Sequence, residues 1–107
     1  DLNVVRDYIY IDDVVNAYLE LLFKGKINSV YNISNGKGYK LNEILGIIEK
    51  ISKIKKPIII DSNLIRPSDN PIIIGDNSKI INETKWSPKV SLKEGLKKVI
   101  DNMREIQ

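Results

Sequence analysis

The chain has 107 residues, 42% of them hydrophobic and 29% charged, with a net charge of +3. This is an ordinary globular composition, too short for a complete dinucleotide-binding domain together with a substrate domain. Histidine and cysteine are both absent, which excludes disulfides, Cys/His zinc sites, iron–sulfur clusters and Cys or His nucleophile–base pairs.

The chain starts at Asp1 without a methionine and soon enters a strand-like run, so a piece of a longer protein is expected. The alternating, aromatic and β-branched run Asp7–Ile11 predicts a strand. Asp12 and Asp13 follow, and either can cap a helix. Val14, Val15, Tyr18, Leu19, Leu21 and Leu22 then recur at helical spacing as far as Lys24-Gly25. Val30–Ser34 reads as a second short strand and Asn35-Gly36-Lys37-Gly38 as a turn. The next helix is expected from Leu41 to Lys53, with Ile44, Leu45, Ile47, Ile48 and Ile51 on one stripe.

Pro57 ends that helix, and Ile58–Asp61 predicts a third strand. A loop follows that holds Arg66-Pro67-Ser68-Asp69-Asn70-Pro71. Ile72–Ile74 suits a short strand, and Asp76 suits the cap of a short helix through Glu83. Ser91-Leu92-Lys93-Glu94 is a capping box. It opens a last helix to about residue 105, whose apolar stripe is Leu92, Leu96, Val99, Ile100 and Met103. The pattern is α/β, with a small sheet of short strands and about four helices. Its short strands leave open sheet edges, a second sign that a partner segment is missing.

Gly36-Lys37-Gly38 lies between a strand and a helix, the context of a dinucleotide-binding fingerprint. Leu41 occupies the place of the third glycine, so a plain turn is the better reading. The Asp12-Asp13 pair reads as helix capping rather than acid/base or metal chemistry. None of the five tyrosines has a lysine four residues later on a helix, so they read as packing residues with hydroxyls at the rim. Lys53, Lys55 and Lys56 lack interleaved aromatics and read as solvated surface rather than a nucleic-acid patch.

The arginines stand apart. Fourteen of the seventeen cationic residues are lysine, and only Arg6, Arg66 and Arg104 are arginine. A guanidinium offers a planar fork of donors that clamps phosphate oxygens in a bidentate way lysine cannot. Arg66 sits in a loop pinned by Pro67 and Pro71, and Arg6 sits just before a strand. For both, an anion site stands beside an ordinary surface salt bridge. Arg104 has only its helix to recommend it.

The motifs occur in a specific order. Arg6-Asp7-Tyr8-Ile9-Tyr10-Ile11-Asp12-Asp13 precedes Val30-Tyr31-Asn32-Ile33-Ser34 and Gly36-Lys37-Gly38. Then come Arg66-Pro67-Ser68-Asp69, Gly75-Asp76-Asn77-Ser78-Lys79 and Trp86-Ser87-Pro88. Across essentially all of its length the chain resembles the C-terminal part of extended short-chain dehydrogenase/reductases, and within them GDP-mannose 4,6-dehydratase.

The resemblance implies that residues 1–107 are the C-terminal substrate-binding fragment of a Rossmann-type enzyme whose N-terminal NAD(P)-binding domain is absent here. It implies that Arg6 and Arg66 bind the substrate diphosphate from two sides, and that Asp69 accepts a hydrogen bond from the ribose hydroxyls. The reaction implied is oxidation of a hexose at C4, loss of water across C5 and C6, and return of hydride to C6. By the same resemblance the complete protein would be a lyase of carbohydrate biosynthesis. The Tyr-x-x-x-Lys pair and the other catalytic residues would lie in the N-terminal half, so the fragment itself is expected to carry no catalytic, cofactor or metal site.

Its partners would be a GDP-sugar and the N-terminal domain, with no nucleic acid and no membrane; a homo-oligomer stays open, and a cytoplasmic location is expected. The alternatives are another NAD-dependent nucleotide-sugar epimerase or reductase, and a free-standing non-catalytic binding module. Two positions depart from the family. Lys85 stands where a glycine often forms the left-handed helix exit before the tryptophan, and Lys40 stands where Ser or Thr often caps a helix.

Overall fold

A computed structural model of the chain describes residues 2–57, 59, 61, 63 and 70–106. Three short strands form one mixed sheet: β1 (Val5–Asp7), β2 (Gly38–Lys40) and β3 (Ile72–Ile73), in the order β2-β1-β3. β1 pairs antiparallel with β2, setting Arg6 opposite Tyr39, and parallel with β3, setting Arg6 opposite Ile73. Four helices surround it: α1 (Ile11–Lys24), α2 (Leu41–Ser52), α3 (Ser78–Thr84) and α4 (Leu92–Ile106). The α/β class and the four helices agree with the sequence reading.

The first strand lies earlier than expected. The ladder ends at Asp7, and residues 8–10 run on unpaired into α1. Tyr8, Ile9 and Tyr10 instead line an apolar hollow of about 240 Å³ with Ile44 of α2 and Leu92, Leu96 and Val99 of α4. Gly95 of α4 faces Tyr10 so closely that a Cβ there would stand 3.1 Å from the ring.

Neither Asp12 nor Asp13 caps α1. Tyr10 precedes the helix with no side-chain cap, and its carbonyl accepts the amides of Asp13 at 3.0 Å and Val14 at 3.3 Å. Both carboxylates sit in the first turn, where they meet the positive end of the helix dipole. Asp13 is buried. Its two oxygens accept the backbone N–H groups of Lys89 and Val90 at 3.1 and 3.0 Å.

The core lies where α1 meets α3. Ala17 and Ile80 are fully buried with Trp86, and Ile9, Leu21, Tyr31, Ile33 and Ile81 pack around them. Trp86 Nε1 donates to the carbonyl of Asp13 at 3.0 Å, which satisfies the one polar atom of a buried indole. α3 leaves through Lys85, whose φ of 64° is left-handed. The helix exit thus takes the glycine-type backbone although a lysine occupies it. Lys40 likewise gives α2 no side-chain cap. The capping box forms in part: Ser91 Oγ accepts the Glu94 amide at 3.2 Å, and Glu94 Oε1 bonds the Ser91 hydroxyl at 3.1 Å rather than its N–H.

α1 carries two faces. Asp13, Ala17 and Leu21, four residues apart, turn to the core. Ile11, Val15, Tyr18, Leu19, Leu22 and Phe23 form an exposed apolar stripe, with Leu22 at 75% and Phe23 at 81% of full exposure. Ile27 and Val30 extend it past the helix.

Val30–Ser34 is not a strand of this sheet, although Tyr31 and Ile33 turn to the core and Val30 and Asn32 turn out. The alternation expected of a strand is therefore present without a ladder, and no backbone partner is recorded for residues 30–33 among the described residues. The Tyr31 hydroxyl donates to Glu83 Oε1 at 2.8 Å and holds that carboxyl below its ordinary titration range. The expected strand Ile58–Asp61 falls partly outside the described residues. β2 was not expected: Gly38 reads as the end of a turn, and nothing in the sequence marks Tyr39 and Lys40 as a strand.

Candidate functional site

Arg6 is the central residue of the central strand. Both its neighbours in the sheet are short: β2 has three residues and β3 has two. Its Nη1 donates to the Val5 carbonyl at 2.9 Å, and no carboxylate among the described residues pairs with it. The nearest acid in sequence, Asp7, is committed elsewhere. Asp7 Oδ1 accepts the amide of Asn35 at 2.8 Å, and Oδ2 accepts those of Gly36 at 2.9 Å and Gly75 at 3.2 Å. Among the described residues, then, no carboxylate compensates Arg6 on its half-buried strand, which is the electrostatic condition for an anion site.

Arg66 and Asp69 lie outside the described residues. The chain just after them returns to the strand of Arg6: the Pro71 carbonyl accepts the Val5 amide at 2.8 Å, and β3 begins at Ile72. Arg104 does not join them. It lies near the far end of α4, where its Nη2 donates to the carbonyl of Ser52 at 2.8 Å and ties α4 to the last residue of α2.

The glycines of Gly36-Lys37-Gly38 do not form a cradle for a cofactor pyrophosphate. Gly36 has a φ of 80°, and a Cβ there would stand 3.0 Å from the Asn77 side chain. A Cβ on Gly38 would stand 2.5 Å from Val5 Cγ1 and 2.7 Å from Ile74 Cδ1. The chain's own side chains fill the space that a phosphate would need, so these residues do not fit a dinucleotide. The loop serves the sheet, since Gly38 opens β2.

Asp7 is the residue that sequence reasoning missed. Its partners are backbone amides at sequence separations of 28, 29 and 68, and such partners leave no mark in a sequence. Two asparagines complete the junction. Asn35 Nδ2 donates to the Tyr8 carbonyl and Asn77 Nδ2 to the Ser34 carbonyl, each at 3.0 Å.

Comparison with known proteins bears on this arrangement. The family described as GDP-mannose 4,6 dehydratase matches residues 1–99. The chain is 28% identical to GDP-6-deoxy-D-mannose reductase of Pseudomonas aeruginosa, over 95% of this chain and 34% of that protein. The solved structure of RMD from Pseudomonas aeruginosa complexed with NADPH superposes with a TM-score of 0.91 at 26% identity, covering 100% of this chain and 35% of the other. The UDP-glucose 4-epimerase of Thermotoga maritima, solved with UDP-glucose, gives a TM-score of 0.90 at 37% identity, covering 99% of this chain and 33% of the other. The chain thus spans about a third of the length of these relatives.

Proposed function

The chain belongs to the GDP-mannose 4,6 dehydratase family of extended short-chain dehydrogenase/reductases, and on that premise we propose that it is the C-terminal, nucleotide-sugar-binding part of a larger NAD(P)-dependent enzyme. In this reading Arg6 and Arg66 grip the two phosphates of the substrate and Asp69 accepts a hydrogen bond from the ribose. The observation that carries it is the setting of Arg6, a guanidinium in the middle of a sheet with no carboxylate against it among the described residues. The return of the chain at Pro71 to Val5 supports the pairing with Arg66, because it ties the end of the Arg66 loop to the strand of Arg6.

The chemistry assigned to this chain is binding and orientation. A diphosphate carries about two negative charges, and each charge-assisted hydrogen bond contributes roughly 1.5–3 kcal/mol. Holding the nucleotide at this remote point leaves the hexose to be presented to the reacting groups, so the binding energy is used to position C4. The nicotinamide, when bound by the part of the enzyme beyond this chain, supplies hydride acceptance and return.

The exposed stripe of α1 supports the reading of a larger body. Burying a Leu or Phe side chain is worth about 1.5–3 kcal/mol, and six such apolar residues on one helix face lie open to water.

Within the family we assign a GDP-mannose 4,6-dehydratase-like reaction. A second reading, an epimerase or reductase, is favoured by the P. aeruginosa reductase and T. maritima epimerase likenesses. The complete protein, incubated with GDP-mannose and separately with UDP-glucose, decides between them. Formation of a 4-keto-6-deoxy sugar from GDP-mannose is the expected result. Interconversion at C4 of UDP-glucose, or NAD(P)H-dependent reduction of a keto sugar without dehydration, selects the second reading. In the same protein Arg66→Lys weakens nucleoside diphosphate binding and leaves nicotinamide binding unchanged; unchanged diphosphate affinity by calorimetry removes Arg66 from the site.

A further inference from the structure

We propose that Asp7 is the positioning residue for Arg6, a bolt that fixes both strands flanking the guanidinium while leaving its charge free for an anion. This rests on reading Arg6 as a diphosphate ligand.

The case begins with strand length. β2 and β3 contribute three and two residues to the ladder, so backbone pairing alone fixes them weakly. Arg6 is paired on one side with Tyr39 and on the other with Ile73. Both flanking segments are then secured by one side chain. The carboxylate of Asp7 accepts the amides of Asn35 and Gly36 just ahead of β2, and the amide of Gly75 just after β3. An amide cannot replace it without turning a donor toward at least one of these N–H groups.

Space at the junction is equally defined. A Cβ on Gly75 would fall 2.4 Å from Ser34 Cβ and 2.5 Å from Ser34 Oγ, so the two segments touch backbone to side chain. Ser34 is buried, and its hydroxyl has no hydrogen-bond partner among the described residues.

Electrostatics supply the second half of the argument. Arg6 and Asp7 are consecutive residues of β1, so their side chains leave the strand on opposite faces. Here three N–H dipoles satisfy Asp7, and no ion pair links it to Arg6. Asp7 can therefore order the strand without competing with an anion for the guanidinium.

The test is a double-mutant cycle in the complete protein, read by calorimetry with GDP and UDP as probes and with the nicotinamide coenzyme as control. Asp7→Asn weakens nucleoside diphosphate binding about tenfold when Arg6 is present and less than about twofold in an Arg6→Lys background, because it acts through the fork that lysine lacks. Coenzyme affinity stays unchanged. Equal losses in the two backgrounds, or no loss at all, overturn the proposal. Should Asp7→Asn fail to fold, Gly75→Ala disturbs the same junction with the carboxylate intact. Its loss of diphosphate affinity is restored by Ser34→Gly, which makes room for the new methyl. No loss, or recovery of thermal stability without recovery of affinity, overturns it too. A wild-type protein that binds neither nucleotide, or an Arg6→Lys variant that binds as tightly as wild type, strikes the reading of Arg6 itself. That failure is distinct from a failed cycle.

Discussion

Asp13 and Trp86, 73 residues apart, are joined by the indole N–H, which donates to the Asp13 carbonyl, while the Asp13 carboxylate accepts the amides of Lys89 and Val90 just beyond the tryptophan. One residue in the first turn of α1 thus fixes the segment between α3 and α4. Asp13→Ala leaves two part-buried N–H groups without their acceptor. Each unsatisfied donor costs about 1–3 kcal/mol, so a loss of roughly 3 kcal/mol is expected. Urea unfolding of the complete protein measures it. A change below about 1 kcal/mol would show that water replaces the carboxylate at no penalty, contrary to its burial.

That residue also marks the limit of what a sequence discloses. The helices were legible because their signals are local. Ser91 and Glu94 are three residues apart, and the apolar positions of α2 recur every turn. Arg6 stood out by scarcity in a lysine-rich chain. Asp7 did not, and Asp13 was read only as a helix cap, because both bind backbone amides from distant segments, and every non-proline residue has one. β2 was missed, with only Gly38 read as part of a turn, because Gly38–Lys40 becomes a strand only through pairing with Val5–Asp7. The apolar residues of α1 were legible as a helix but not as two faces. Periodicity locates an apolar face without saying what covers it.

Lys85 offers a gain in stability. A non-glycine residue in the left-handed region costs roughly 1–2 kcal/mol, and Lys85 holds a φ of 64° at the exit of α3. Glycine adopts that backbone freely but loses more entropy on folding, which offsets part of the gain. Lys85→Gly is therefore expected to stabilise the fold by about 0.5–1 kcal/mol, read as a higher urea midpoint with an unchanged slope. A lower midpoint would mean that the lysine side chain makes a contribution exceeding the backbone strain.

The surface formed by α1 and residues 30–33 yields the last expectation. Two independent features meet there. One is an exposed apolar stripe that runs from Ile11 to Phe23 and on to Ile27 and Val30. The other is a segment with the alternation of a strand and no ladder. An apolar helix face beside an unpaired strand suits a body that offers both a sheet edge and an apolar surface. The remaining two-thirds of the relatives' length is where such a body would come from. In the complete protein, the amides of Tyr31, Asn32 and Ile33 should exchange with deuterium as slowly as those of β1, at any protein concentration. Protection that appears only at high concentration assigns the surface to a second copy instead. Exchange at the rate of an open loop would show that no further part of the protein covers this face.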